Sequence, residues 1–291
     1  TLSEKSFLVY FNDQRDKKLG STLDSWRSVG VYLNAYASKY YGGELTFGML
    51  DVEFLDGFKE YLMNSKRVST GTNKLHINTA AHYLNIFKTS LYQAYRTGKI
   101  RENLSIRIPS IKKEQTELKY LTIDELKALV KTECRIPIMK SAALFSALTG
   151  LRFSDIQKLT WSEVVHQKGK GYHLSFRQQK TGGMETHPIS EDAIEYMGKR
   201  GQPQDRVFEG LVYSAYTVSM VYLWVAKAGI ERHIKFHDFR HTYSVLQIHA
   251  GTDLYTLSKM LGHKSIKVTE QHYAKVLDEK KREAANRIKI K

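Results

Sequence analysis

Residues 109–119 hold almost no apolar content and carry mixed charge, whereas the sequence on either side is patterned for burial. Such a stretch reads as an interdomain linker, and it forces the chain to build two separate cores. The chain has 291 residues, enough for two domains of ordinary size, and 42% of them are hydrophobic, which argues against global disorder. The division expected is a helical domain at 1–108, a linker at 109–119, and a second domain at 120–291 with a helical tail from about 276.

The front segment is periodic. Trp26, Val29, Leu33, Tyr36, Ala37 and Tyr40 recur at helical spacing, Phe54, Phe58 and Leu62 mark a second helix, and Ile77, Ala80, Ala81, Leu84, Phe87, Leu91 and Tyr95 a longer third. These stripes predict a small helical bundle. Lys59, Lys66, Arg67, Lys74, Lys88 and Arg96 lie between them, facing either solvent or phosphate.

The second segment is mixed. Thr122-Ile-Asp-Glu125 is a capping box that opens a helix. An apolar helix from Ala142 to Leu148 is ended by Thr149-Gly150, and Asp155, Ile156, Leu159 and Trp161 suggest another short helix. Tyr172-His-Leu-Ser-Phe176 alternates as a strand, Gly182-Gly183 supports a turn, and Glu185 to Ile189 supplies a partner strand. From Asp192 on, the pattern is helical again. The fold class is therefore mostly α with a small β-sheet, an α+β arrangement.

Composition narrows the partner. The net charge is +15, and it is spread along the chain: up to Ser110 there are 15 Lys+Arg against 10 Asp+Glu, and beyond it 30 against 20. A chain this basic in both halves points to a polyanion, nucleic acid first, although a basic surface can also serve solubility alone. The single cysteine, Cys134, excludes an internal disulfide and a cysteine-built zinc site and fits a reducing, cytoplasmic setting. No apolar run is long enough to span a membrane and no signal peptide is visible. The sequence starts at Thr1 without a methionine, so an upstream segment is expected to precede it.

Several polar residues sit where a core pattern does not demand them. Arg152 follows a helix break, and Lys180 occupies the hairpin turn. His237 and Arg240 are three apart and share a helix face. His263 follows Leu261-Gly262, and Tyr273 lies ten residues later. Each alone has a plain structural explanation: a turn lysine, a helix-end charge, one tyrosine among 18. Together, the stretches Thr149-Gly-Leu-Arg-Phe-Ser-Asp155, Gln179-Lys-Thr-Gly182, His237-Asp-Phe-Arg-His-Thr242, Leu261-Gly-His263 and Tyr273 resemble the tyrosine recombinase (phage integrase) family, in its order and at plausible spacing. Residues 120–280 carry the resemblance strongly, and the helical front half resembles the family's core-binding domain more weakly. Tyr-Ala-Lys-Val at the tyrosine is similar to integrases of conjugative or mobilisable transposons. Phe239 stands where the family commonly has Leu, an apolar exchange.

The resemblance implies a site-specific recombinase that cleaves one DNA strand with Tyr273 and rejoins it through a 3′-phosphotyrosyl intermediate, for integration or excision of a mobile element. Physical logic agrees. Attack on a phosphodiester builds charge on the non-bridging oxygens, and preorganised cations stabilise that charge. Arg152 and Arg240 suit this task, because each guanidinium stays charged and binds two oxygens. His263 would donate a further hydrogen bond to the phosphate. A phenol with a pKa of about 10 is a poor nucleophile at neutral pH, and His237 is the candidate to receive or share its proton. Lys180 would protonate the leaving 5′ hydroxyl. Asp155 would orient these groups through a hydrogen bond, or be a plain helix-surface carboxylate. Neither ATP, metal nor any other cofactor is required.

His233, His237 and His241 fall four apart, a spacing that can hold zinc, but HExxH is absent and Arg240 would place positive charge beside the metal. A type IB topoisomerase-like enzyme and a non-catalytic DNA-binding regulator are the rival functions. The expected partner is double-stranded DNA, clamped between the two domains. From the family we also expect a tetramer on DNA coupled by the tail beyond Val276, accessory DNA-bending proteins, an arm-site DNA-binding domain upstream, and a place in the bacterial cytoplasm on the nucleoid. The alternatives for the tail are folding onto its own domain and a frayed end.

Overall fold

The computed structural model describes residues 2–67, 71, 73–177 and 184–285. The chain divides into two compact units, Thr1–Thr116 and Glu117–Lys291. The apolar residues of the connecting stretch go to different cores: Ile111 is buried in the first unit, and Leu118 packs in the second against Tyr243 and its neighbours.

The first unit is built on α1 (Phe7–Asp16), α2 (Gly20–Tyr40), α3 (Val52–Asn64) and α4 (Ile77–Arg96). The helix starts carry their own signals. Ser6 and Asp51 accept backbone N–H bonds from Val9 and Phe54 and so satisfy otherwise orphaned donors. The core is aromatic. Phe7, Phe11, Phe54, Phe58 and Phe87 are fully buried, with Phe58 and Phe87 packed edge to face at 4.9 Å. Gly57 sits inside α3 because α2 crosses it closely: a Cβ there would meet the Tyr36 hydroxyl at 2.1 Å. That close approach outweighs the roughly 1 kcal/mol a helix loses with a central glycine.

The second unit begins with α5 (Ile123–Lys131), whose Thr122–Glu125 capping box is formed. Arg232 bridges back to the Glu125 carboxylate and to the Tyr120 carbonyl. Next comes α6 (Pro137–Thr149), which opens on a proline where a missing N–H costs nothing and ends on Gly150 in the left-handed region, φ 71°. It is apolar on most faces and packs against α10 (Phe236–His249) in the centre of the unit. Between them in sequence lie α7 (Phe153–Lys158), β1 (Val164–Gln167), β2 (Gly171–Arg177), β3 (Met184–Ile189), α8 (Glu191–Glu195) and α9 (Ala215–Lys227). The chain closes with α11 (Leu254–Met260) and α12 (Ile266–Ala285). The sheet is antiparallel in the order β1-β2-β3, with Leu174 opposite His187.

Two details differ from the sequence expectation. The hairpin gains a third strand, β1, which has only four residues and buries only Val164, too short for alternation to register. Residues 198–214, expected within a helical run, hold no helix; Gly198, Gly201, Pro203 and Gly210 break the pattern while Val207 and Phe208 are buried in the core. Among the described residues, no helix is long and apolar enough to cross a membrane.

Candidate active site

The site is assembled around Arg240. Its position on α10 follows from apolar spacing: Phe236, Phe239 and Tyr243 bury the helix, and this carries a guanidinium into the interior, where Arg240 is only 4% exposed. The charge is held by carbonyl groups rather than carboxylates. Nη1 donates to the Gly150 carbonyl at 2.7 Å and Nη2 to the Leu261 carbonyl at 2.6 Å. Burial, and then the nearby Arg152 charge, push its pKa down to about 10, so it stays cationic at neutral pH.

Those two carbonyls explain the flanking sequence. Gly150 takes a positive φ, and any Cβ there would approach the Tyr243 ring at 2.5 Å. Glycine therefore satisfies both the turn and the close packing that present its carbonyl to Arg240. Two residues on, Arg152 starts α7. Its side chain lies 3.7 Å from the Asp155 carboxylate, and its Nη2 donates to the Leu261 carbonyl at 3.5 Å. Asp155 is buried, with a side chain only 1% exposed, so the surface-carboxylate alternative is excluded: it lies among the two arginines. The arginines repel one another, and Asp155 supplies the compensating charge that a buried cationic pair needs.

His263 joins the cluster from the turn after α11. Arg240 Nη2 donates to its Nε2 at 3.2 Å, and Nδ1 lies 2.8 Å from the Thr269 hydroxyl. Arginine has no acceptor, so Nε2 must accept and Nδ1 carries the proton. Burial and the two arginines push the His263 pKa down to about 4. In this geometry Nε2 accepts, so donation to a phosphate from that atom requires release from Arg240 and a proton on Nε2.

Tyr273 lies on α12, where the helix is interrupted: the residue has φ −110° and ψ 18°, and helical geometry resumes on both sides of this kink. The side chain is 2% exposed and packs with Tyr243, Val245, Leu257, Leu261 and Val276. Its hydroxyl lies 3.1 Å from His241 Nδ1. Burial raises the phenol pKa, while a side-chain hydrogen bond with Ser244 and the Arg240 charge pull it down. His237 is exposed in the first turn of α10, with its ring edge-to-face on His241 at 4.7 Å.

Arg152, Asp155, Arg240, His263 and Tyr273 are thus drawn around one locus from separated stretches of chain, with His237 one ring away from the tyrosine's partner. Lys180 lies outside the described residues, between β2 and β3. His241 stands in the sequence within the stretch His237–Thr242 and as a zinc alternative, with no role at the tyrosine, yet it touches the phenol; the signal is its place four residues after His237 and next to Arg240. Among the described residues, no group of three or more His, Cys, Asp or Glu is placed to hold a metal ion.

A family model described as "Phage integrase family" matches residues 119–280, and one described as "Phage integrase SAM-like domain" matches 6–108. The chain belongs to the phage integrase family. A tyrosine recombinase XerC-like protein of Caldanaerobacter subterraneus subsp. tengcongensis is 22% identical over 95% of this chain and 84% of its own length. Among solved structures, a lambda integrase dimer bound to a COC′ core site superposes with a TM-score of 0.69 at 15% identity, over 92% of this chain and 95% of that one. The Tn1549 transposon integrase in complex with transposon right-end DNA gives 0.64 at 17% identity, again over 92% and 95%. These likenesses bear out the mostly helical fold with its small sheet and the tyrosine recombinase resemblance read from the sequence.

Proposed function

We propose that this integrase-family chain is a site-specific DNA recombinase in which Tyr273 is the nucleophile. The observation that carries the reading is the convergence on Arg240: Gly150, Leu261 and His263 meet one buried guanidinium, with Arg152 beside it and Tyr273 on a neighbouring helix. A fixed cation in a water-poor site suits charge that develops on a transferring phosphoryl group.

In the reaction, the Tyr273 oxygen bonds to the scissile phosphorus and the 5′ oxygen departs. Arg152 and Arg240 stabilise the non-bridging oxygens. His237, exposed at the mouth of the site, takes up the phenolic proton, and Lys180 donates a proton to the leaving 5′ oxygen. The aryl phosphodiester keeps the bond energy, so a 5′ hydroxyl of another strand regenerates the tyrosine without ATP. His263 joins the phosphate contacts once DNA displaces it from Arg240. The partner is double-stranded DNA, and the charge of +15 supports affinity that falls steeply with salt.

We further propose a tetramer on DNA, coupled by chain beyond Val276, since Val276 itself is 3% exposed and packed in the same cluster as Tyr273. Accessory DNA-bending proteins and a bacterial cytoplasmic setting complete the reading.

The test is a nicked suicide duplex carrying the recombination site, incubated with the protein in EDTA and resolved on a denaturing gel. An adduct that survives EDTA and vanishes in Tyr273→Phe supports the reading. No adduct on DNA that the protein binds overturns it in favour of a regulator, and relaxation of plasmids lacking the site favours topoisomerase-like activity.

A further inference from the structure

His241 stands at the centre of the site and has no part in the reaction as written. It occupies the position after Arg240, on a helix whose buried face is committed to the core. Its Nδ1 is 3.1 Å from the Tyr273 hydroxyl, a direct hydrogen bond to the proposed reacting atom. Its ring is braced on both sides: His237 stands edge-on at 4.7 Å and at 87°, and the Tyr273 ring lies at 5.9 Å and 70°. One turn further along α10, Ser244 lies close enough to the phenol to pull its pKa down, while its own hydroxyl donates to the Arg240 carbonyl at 3.0 Å. The backbone at Tyr273 departs from helical geometry, so α12 itself does not fix the direction of that side chain. Packing against Tyr243, Val245, Leu257, Leu261 and Val276 holds the ring, and the direction of the hydroxyl's proton and lone pairs is set by what the oxygen meets.

We propose that His241 is the positioning residue for the nucleophile: as a neutral imidazole it holds the Tyr273 hydroxyl in one orientation. This rests on Tyr273 being the nucleophile. Positioning, rather than proton storage, follows from the surroundings. Burial comes first, then the neighbouring His237, His272, Arg240 and His263, and together they push the His241 pKa to about 3. An imidazole so reluctant to charge is a poor resting place for the phenolic proton, but it remains a competent hydrogen-bond partner at every pH at which the protein works. The exposed His237 is left to exchange that proton with solvent.

The discriminating pair of variants is His241→Phe and His241→Asn. Phenylalanine keeps the ring volume and removes the hydrogen bond. Asparagine places an amide where Nδ1 stood and offers either a donor or an acceptor, but it cannot accept a proton. Single-turnover cleavage of the suicide duplex is measured for both, alongside DNA affinity. Loss of orientation costs on the order of 10²-fold in rate, so His241→Phe should fall by about that factor with unchanged affinity, and His241→Asn should recover most of it. Parent-like cleavage by His241→Phe overturns the proposal, and so does an asparagine variant as slow as the phenylalanine one. A second measurement needs no cleavage: with 3-fluorotyrosine at position 273 alone, the fluorine resonance of DNA-free protein should move in His241→Phe and return towards the parent in His241→Asn. A resonance that the phenylalanine variant leaves in place, or that asparagine fails to restore, overturns the hydrogen bond. If the parent chain forms no adduct, the nucleophile reading fails on that result, and the fluorine shifts still decide the role of His241.

Discussion

The two helices that carry the site are held in opposite ways. Along α10, Phe239, Arg240, Thr242, Tyr243, Ser244 and Val245 are all buried, and the Arg240 guanidinium is tied to two other segments of backbone. Along α12, burial among the described residues is confined to Thr269, Tyr273 and Val276, the helix is broken at the tyrosine, and Ile266 and Val268 are exposed. A helix with so few buried apolar contacts belongs to the low-stability end of a structure. On the proposed reading the difference separates the jobs: the charge that would meet the phosphate is preorganised in the core, and the proposed nucleophile rides on an element that can change its seat without unfolding the unit.

The sharpest way to break this comparison is to exchange the chemistry of one helix for loss of the other. Tyr273→Phe should abolish the covalent adduct while leaving DNA affinity and thermal stability close to the parent, because the ring keeps its packing. Arg240→Ala should lower cleavage by about 10³-fold, the loss typical of a preorganised charge-stabilising group. It should also destabilise the unit, since each buried carbonyl left without its donor costs roughly 1–3 kcal/mol. Arg152→Ala should lose comparable activity with a smaller drop in melting temperature, because its side chain is 16% exposed and its bond to Leu261 is long. Equal melting temperatures for the two arginine variants would undo the claim that α10 is the rigid half. Lys180→Ala should slow cleavage by ~10²–10⁴-fold on an ordinary phosphodiester, and much less on a substrate whose leaving group departs as a thiolate that needs no proton; equal slowing on both substrates argues against Lys180 as the acid.

What the sequence discloses follows the same division. Gly150, Arg152 and His263 are legible because each is fixed by a local backbone feature, a helix end or a turn, that leaves a mark in the residues around it, and Arg240 because it interrupts the apolar spacing of α10. The stripes of α2, α3 and α4 are legible because a helix buried on one face must repeat. The Tyr273–His241 pairing is not, because α10 and α12 meet only in the folded unit and spacing along the chain does not say which of two histidines a turn apart will face the phenol. Asp155 illustrates the same limit: three residues from Arg152, it fits a surface helix as well as a buried one until its carboxylate is seen buried 3.7 Å from Arg152 and within reach of the Arg240 charge. Residues 198–214 mislead because their buried Val207 and Phe208 mimic a helical stripe, while the glycines and Pro203 that break it carry the decisive information.

The smallest effect expected is also the one that ties the two helices together. His263 links them, bonding Arg240 of α10 through Nε2 and Thr269 of α12 through Nδ1. Near the same arginine, His187 of β3 is 1% exposed, and its Nε2 has no hydrogen-bond partner among the described residues. Burial depresses both pKa values to about 4. In the unfolded chain a histidine titrates near 6.5. Above that pH neither state binds the proton, and the stability is fully present. As the pH falls from about 6.5 towards 4 the unfolded state takes up protons that the folded state refuses, so stability falls, with a slope approaching ~1.4 kcal/mol per pH unit for each histidine. His241, pushed down to about 3, adds a third, so thermal unfolding across that window should report close to three protons. His187→Asn keeps an N–H for the Thr149 backbone and cannot titrate, so it should remove one proton from the slope without touching cleavage at neutral pH. His263→Asn should remove another, and it should also loosen α12 in hydrogen exchange while α10 stays protected. Equal deprotection of both helices would mean that Arg240 and Tyr273 stand on one rigid body, and the division of labour between a fixed charge and a movable nucleophile would have to be given up.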